Sequence, residues 1–274
     1  PYKAPSGSTY DSGNFPAILD RTLEIADWKG FEARKAESAK RGKIRGRGLG
    51  QFLEATAPVM GELGKITFDE DGGVTLFTGS HDHGQGHWTT FAQVLSTQLG
   101  IPFESIRLMQ TDTDLLRMGS GTGGSKSLMC SGTAIVEASD LIIDKGRIIA
   151  SHLLEAGVPD IVFEAGAFSV VGTDRKLTVM EIAAKLRAGV ALPDDAPKSL
   201  DVDHKSSAKP ATFPNGCHVC EVEIDPETGV TEIVRYFMVG DFGTVVNPII
   251  VRGQVIGGVM QGIGQCLMEH TVYD

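Results

Sequence analysis

Apolar residues recur along the chain with two different periods, and the switches between them mark out its elements. Residues 17–40 read as one amphipathic helix, with Ile18, Leu19, Leu23, Ile25 and Ala26 on or near one side and Gly42 placed to end it. Residues 43–56 read as a strand through Gly46, Gly48 and Gly50. Two short alternating runs, Lys65 to Phe68 and Val74 to Thr78, flank Asp71-Gly72-Gly73, which is a hairpin signal. A helix from about Trp88 to Leu99, a short strand from Ile106 to Gln110 and a long helix from about Ser127 to Ala156 come next. Residues 160–173 read as short strands, and 178–187 as a helix opened by Thr178, with Glu181 at capping-box spacing. The proline-, aspartate- and lysine-rich residues 190–214 read as an exposed excursion. A second hairpin, Cys217 to Ile224 and Val230 to Val239, turns at Asp225-Pro226-Glu227-Thr228-Gly229, and a helix from about Val251 to Leu267 follows it.

Strands and helices alternate irregularly in this series, which predicts an α+β fold with mixed sheets rather than a doubly wound one. Residues 68–75 align without a gap with residues 224–231. Each hairpin leads to a Gly-Gln step, Gly84-Gln85 and Gly253-Gln254, read here as the mouth of a helix. Two readings stand: a chance likeness of two hairpins, or two related lobes of β-hairpins and helices, approximately 1–157 and 158–274. In the second, each lobe offers a glutamine to a shared ligand.

Composition narrows the function classes. The 274 residues suffice for one large core or two lobes. A net charge of -10 argues against a nucleic-acid-binding surface, which needs an excess of lysine and arginine. The basic run from Arg41 to Arg47 is short and glycine-spaced, and reads as a loop or strand entry. No apolar stretch approaches the roughly 20 residues of a membrane span, and no signal-peptide pattern is present. Four scattered cysteines do not make a disulfide framework, and point to a reducing, cytoplasmic compartment. The chain opens at Pro1 without an initiator methionine, which predicts a segment of a longer protein.

Four clusters offer chemistry. In Gly79-Ser80-His81-Asp82-His83-Gly84-Gln85-Gly86-His87, glycines let backbone amides approach a ligand near a helix start, which suits an anionic partner. The Gln85 amide both donates and accepts, as the edge of a planar heterocycle requires. His81, His83 and His87 also raise a protein-held metal, although no cysteine or glutamate nearby completes a site. Gly119-Ser120-Gly121-Thr122-Gly123-Gly124-Ser125-Lys126-Ser127 fails the P-loop spacing. It remains either a ligandless connector or a glycine nest for a phosphate or pterin edge. Cys217-His218-Val219-Cys220 has zinc-knuckle spacing but runs into the alternating strand Glu221 to Ile224, where positions three apart face opposite sides; zinc is not expected. Last, Gln254 within Gly253-Gln254 could face either a ligand or solvent.

Several of these segments, in order, resemble one family. They are Tyr10-Asp11-Ser12-Gly13-Asn14-Phe15; Gly84-Gln85-Gly86-His87; Gly100-Ile101-Pro102; Thr111-Asp112-Thr113-Asp114; Gly121-Thr122-Gly123-Gly124-Ser125-Lys126-Ser127; residues 222–229; Asp241-Phe242-Gly243; Asn247-Pro248; Gly253-Gln254; Gln261-Gly262-Ile263-Gly264; and residues 269–274. Together they resemble the C-terminal molybdopterin-binding part of molybdenum hydroxylase large subunits, the family of xanthine dehydrogenase, aldehyde oxidase and aerobic carbon monoxide dehydrogenase. The resemblance implies cofactor contacts at Gly84, Gln85, Gly86, Gly123, Gly124, Ser125, Lys126, Ser127 and Gln254. It implies molybdopterin cytosine dinucleotide with molybdenum held by the pterin, so that no protein residue is a metal ligand.

The family's catalytic base is a glutamate in a Gly-Glu motif, expected beyond Asp274, so no catalytic residue is assigned within the chain. The whole enzyme would hydroxylate an aldehyde, N-heterocycle or similar small molecule with water-derived oxygen. Its partners would be the remainder of the large subunit together with iron-sulfur and FAD-bearing subunits, in an oligomer. The chain alone is expected to be inactive and free of cofactor. Two positions depart from the family: Trp88 where glutamate is frequent, and Lys126 where arginine is usual. The competing readings are a metal-dependent hydrolase built on His81, His83 and His87, and a non-catalytic structural subunit.

Overall fold

The computed structural model describes residues 2–273. Strands β1 (Tyr2–Lys3) and β2 (Thr9–Tyr10) precede helices α1 (Phe15–Ile25) and α2 (Phe31–Lys40) and strand β3 (Ile44–Leu53). Next come β4 (Leu63–Phe68), β5 (Val74–Phe77), α3 (His87–Leu99), β6 (Ile106–Met109) and α4 (Ser127–Leu153). Strands β7 (Ile161–Glu164), β8 (Ala167–Val170) and β9 (Lys176–Thr178) lead to α5 (Val179–Arg187) and β10 (Val202–Lys205). The series ends with β11 (Asn215–Ile224), β12 (Thr231–Asp241) and α6 (Pro248–Leu267). Helices combine with small antiparallel and mixed sheets, the α+β arrangement that the sequence predicts.

The chain divides into two compact units, one of residues 1–56 and 211–274, the other of residues 57–210. This differs from a division near 157, because β7, β8 and α5 all pack on α4 and stay in its unit.

In the first unit β11 is the centre of an antiparallel sheet ordered β12-β11-β3. Alternation along β11 buries Cys217, Val219, Glu221 and Glu223 on one face, while His218, Cys220 and Val222 are only half-buried on the other. Cys217 and Cys220 therefore point to opposite faces, and both are free thiols. The buried carboxylates are neutralised from the neighbouring elements. Glu221 accepts from Arg34, Arg45 and Arg235, and Glu223 accepts from Arg41, Arg45 and Ser38. The basic run at β3 is thus consumed internally.

The predicted helix over 17–40 is two helices. Asp27 adopts a left-handed conformation (φ 48°) and its carboxylate accepts from the Gly30 amide at 3.3 Å, which stops α1 and seeds a 3-10 turn over Trp28–Gly30. Arg47 stacks on Trp28 and Phe31 across this break, at 3.6 and 4.3 Å from the ring centroids.

In the second unit a mixed sheet ordered β10-β4-β5-β6 packs against α3 and α4. Ile66, Val74, Leu76, Phe91, Leu95, Leu99, Ile135 and Ile142 are fully buried between these layers. The excursion expected over 190–214 is not wholly exposed. Val202–Lys205 pairs with β4, Val202 opposite Ile66, and Ala196, Leu200 and Ser206 are buried. The Thr178–Glu181 capping box is present in full.

Candidate cofactor site

Two glycine loops of the second unit lie side by side, one leading into α3 and the other into α4. Gly79 and Gly119 meet so closely that a Cβ on Gly79 would stand 2.2 Å from the Gly119 Cα. The Gly121 amide donates to the Gly79 carbonyl at 3.3 Å. Thr122 ties the two loops at a second point, its hydroxyl accepting from the His81 amide at 3.0 Å and donating to the His81 carbonyl at 2.5 Å. Sequence reading found both loops, and the fold brings Gly84, Gln85 and Gly86 into one neighbourhood with the segment 123–127. Gln254 belongs to the other unit.

The first loop is internally fastened. The Asp82 carboxylate accepts from the Gly84 amide at 2.7 Å and from the Trp88 amide at 3.3 Å, closing the loop onto the first turn of α3. Partial burial alone would raise the Asp82 pKa, but these amides and the helix start outweigh it, and the group sits below its ordinary value. The Gln85 amide nitrogen donates to the His81 carbonyl at 3.0 Å and to His87 Nε2 at 3.1 Å. Its oxygen accepts from the His83 amide.

With both amide hydrogens engaged, Gln85 has only an acceptor lone pair left for a ligand. That corrects the expectation that it donates and accepts at once. The same geometry makes His87 Nε2 an acceptor, and the Gln110 amide nitrogen lies 3.3 Å from Nδ1 on the other side of the ring. His87 is 4% exposed and stacks on Phe91. Burial, opposed by Asp82 and aided by His83 and His81, pushes its pKa down, so the ring is neutral near pH 7. Beneath it, Gln110 reaches Ser80, which meets Ser131 of α4 at 3.2 Å.

This engagement of His87 counts against the histidine-metal reading. His81 and His83 do stack edge to face, at 4.4 Å between ring centroids, but both are exposed or nearly so. Among the described residues no three His, Cys, Asp or Glu side chains are grouped to hold a metal.

In the second loop the implied contacts separate by role. Gly123 has an ordinary φ, and nothing stands within 4 Å of where its Cβ would be. The fold itself gives no reason for glycine there. Gly124 is fully accounted for by packing, since its Cβ would stand 1.7 Å from the Ala57 carbonyl oxygen and its φ is +61°. Ser125, also left-handed at φ 57°, is exposed. Ser127 opens α4 and donates to Thr122 at 3.3 Å. No side chain caps the α4 start, so its first amides are open to an oxygen-rich acceptor.

Lys126 is 4% exposed, and its ammonium turns inward to the Ser120 carbonyl at 3.0 Å. Sequence reading missed Glu62, which is 1% exposed and accepts from the Ser120 hydroxyl at 3.0 Å. It also missed the individual roles of Ser120 and Thr122.

The glutamine expected at a second helix mouth is placed differently. Asn247 is the cap of α6: its side chain accepts from the Ile249 and Ile250 amides, with Pro248 as first residue, so the helix begins well before Gln254. Gln254 lies inside the helix and is exposed.

The model of the molybdopterin cofactor-binding domain matches residues 21–274. The large subunit of nicotine 6-hydroxylase from Paenarthrobacter nicotinovorans is 34% identical over all of this chain, which covers 35% of it. The carbon monoxide dehydrogenase large chain of Afipia carboxidovorans is 32% identical, again over all of this chain and 36% of the relative. Among solved structures, a Cu,Mo-CO dehydrogenase superposes with a TM-score of 0.91 at 31% identity, and quinoline 2-oxidoreductase from Pseudomonas putida 86 with 0.90 at 30%. Each is matched over 100% of this chain and 36% of its own. The chain thus spans about a third of the length of these relatives.

Proposed function

The chain belongs to the molybdopterin cofactor-binding domain family, and from that premise we propose that it forms part of the pterin site in a molybdenum hydroxylase large subunit. The observation that carries this reading is the stitching of two glycine loops at the starts of α3 and α4. Open backbone at Gly84 and Gly123, where a Cβ would meet nothing within 4 Å, fits a flat ligand approaching closely. The uncapped first turn of α4, with Ser125 and Ser127, fits an oxygen-rich, anionic group such as a pterin phosphate.

In this reading Gly84, Gln85 and Gly86 hold one side of the ligand, and Gly123, Gly124, Ser125 and Ser127 the other. Gln85 accepts a hydrogen bond from the ligand's edge, because its own hydrogens are engaged. Gln254 joins the set on the resemblance alone. When bound, molybdopterin cytosine dinucleotide would supply a molybdenum centre that takes up electrons from the substrate. The protein's part here is to bind and orient that group and to keep a neutral His87 behind Gln85.

The whole enzyme would oxidise a small molecule such as an aldehyde or N-heterocycle with oxygen from water. It would work with the rest of the large subunit and with iron-sulfur and flavin subunits, as an oligomer in the cytoplasm. Two relatives are named as a large subunit and as a complex subunit, which supports assembly with partners. No described helix is long and apolar enough to cross a membrane.

The test is elemental and pterin analysis of the large subunit carrying this segment. Molybdenum and a cytosine-dinucleotide pterin in near-equimolar amounts with folded protein is the expected result. Folded, assembled subunit with neither would overturn the proposal.

A further inference from the structure

The resemblance implies that Lys126 touches the cofactor, yet its side chain is buried beneath its own loop. Its ammonium donates to the Ser120 carbonyl at 3.0 Å. From the other side, the Ser120 hydroxyl donates to Glu62 at 3.0 Å. Glu62 is itself fixed, because its second carboxylate oxygen accepts from the Leu63 amide at 2.8 Å. Its backbone also exchanges hydrogen bonds with Ser206, at 2.9 Å in each direction. Both charged residues are nearly inaccessible, at 1% for Glu62 and 4% for Lys126. Among the described residues, neither has a salt-bridge partner.

Burying two ions without pairing them is costly unless each is well hydrogen-bonded. Here both bond to the same residue. Bonds to charged groups are roughly twice as strong as neutral ones, so Ser120 is gripped by its carbonyl and its hydroxyl together. Its neighbours Gly119 and Gly121 are the points at which the second glycine loop meets the first.

We propose that Lys126 and Glu62 are positioning residues that clamp Ser120 and thereby hold the two glycine loops in the shape that receives the ligand. The part of this proposal that concerns the ligand rests on the pterin reading above. The part that concerns loop shape does not. Lysine in place of the usual arginine then leaves the clamp intact, because a single point donor suffices for one carbonyl.

Hydrogen exchange on the large subunit carrying this segment tests the loop shape. Lys126→Met should speed exchange of the His81 and Gly121 amides about tenfold or more, the loss of one charge-assisted bond, while amides in the middle of α4 keep their protection. Lys126→Arg should restore the slow rates, and Ser120→Ala should show the same local loosening and decides the matter should Lys126→Met not fold. Unchanged exchange at His81 and Gly121 in the folded variants would overturn the clamp. The second readout is pterin content per folded large subunit, expected to fall roughly tenfold in Lys126→Met and to recover in Lys126→Arg. A loosened loop with full pterin content would overturn the clamp's role towards the ligand. A wild-type subunit without pterin would sink the proposed function instead, and leave loop shape to be judged by exchange.

Discussion

Substituting alanine at the adjacent glycines 123 and 124 separates what the fold requires from what a ligand requires. At Gly124 the new Cβ would stand 1.7 Å from the Ala57 carbonyl oxygen and 2.8 Å from its carbon. Both are backbone atoms, so no rotamer change relieves the overlap. The segments must part, which breaks the bond from the Ala57 amide to the Gly124 carbonyl at 2.8 Å and costs about 1 kcal/mol. The left-handed backbone adds about 1–2 kcal/mol for a residue with a Cβ. With residual crowding the sum for Gly124→Ala is about 2–4 kcal/mol, and the thermal midpoint should drop by roughly 5–12 °C. Gly123→Ala meets neither obstacle, and its midpoint should stay within about 2 °C of wild type, a change of under about 0.5 kcal/mol. Calorimetry on the 274-residue chain measures both, and pterin analysis of the assembled subunit should show the opposite weighting for Gly123→Ala: unaltered stability with reduced cofactor content. Equal midpoints for Gly124→Ala and wild type would refute the packing account of that glycine. Full cofactor content in Gly123→Ala would refute the reading of open backbone as ligand space.

Glu221→Gln removes the charge that three arginines share in the first unit, and should cost about 3–5 kcal/mol, as breaking a buried pair does. Urea unfolding measures it, and a loss below about 1 kcal/mol would show that the network relaxes around water. Glu137 on α4 is expected to contribute to acid sensitivity in the second unit. Burial would raise its pKa, but His204, Lys209 and Ser207 outweigh that and bring it from 4.5 down to about 2. A depressed carboxylate stabilises the fold above its unfolded pKa, and that contribution is lost as pH falls from about 4.5 through about 2. Solvent screening of this quarter-exposed group reduces the effect to about 1–2 kcal/mol. Glu137→Gln should therefore flatten the stability profile in that acid window, and an unchanged slope there would exclude Glu137 as its source.

What the sequence reveals depends on how local each cause is. The Thr178–Glu181 capping box could be read directly, because donor and acceptor are three residues apart. So could both hairpins and the alternation that divides Cys217 from Cys220. The break at Asp27 is also local, but its signal is one carboxylate competing with an otherwise continuous helical pattern. Strand β10 gave no signal, since Val202-Asp203-His204-Lys205 has a single apolar residue and becomes a strand only by pairing with β4. In the site, the glycines announce the loops because few residues tolerate such backbone. The Glu62–Ser120 bond joins residues 58 apart, and no spacing rule reaches that far.

The same distinction bears on the two Gly-Gln steps. The hairpins before them are alike, but the entries to the following helices are built differently. Helix α3 starts at a left-handed glycine, Gly86 at φ 85°, with Asp82 reaching back to the first turn. That leaves Gln85 outside the helix, in a loop whose backbone holds its amide at both ends. Helix α6 starts at Asn247-Pro248, and the second glutamine becomes one residue on an exposed helical surface. Sequence likeness therefore extends to the hairpins and stops before the glutamines. A loop glutamine with fixed hydrogens offers one acceptor in one direction, whereas an exposed helical glutamine keeps its donors and its rotamers. The two Gly-Gln steps therefore present unlike side chains: Gln85 is a rigid acceptor set by its loop, and Gln254 an adaptable group on an exposed helical surface.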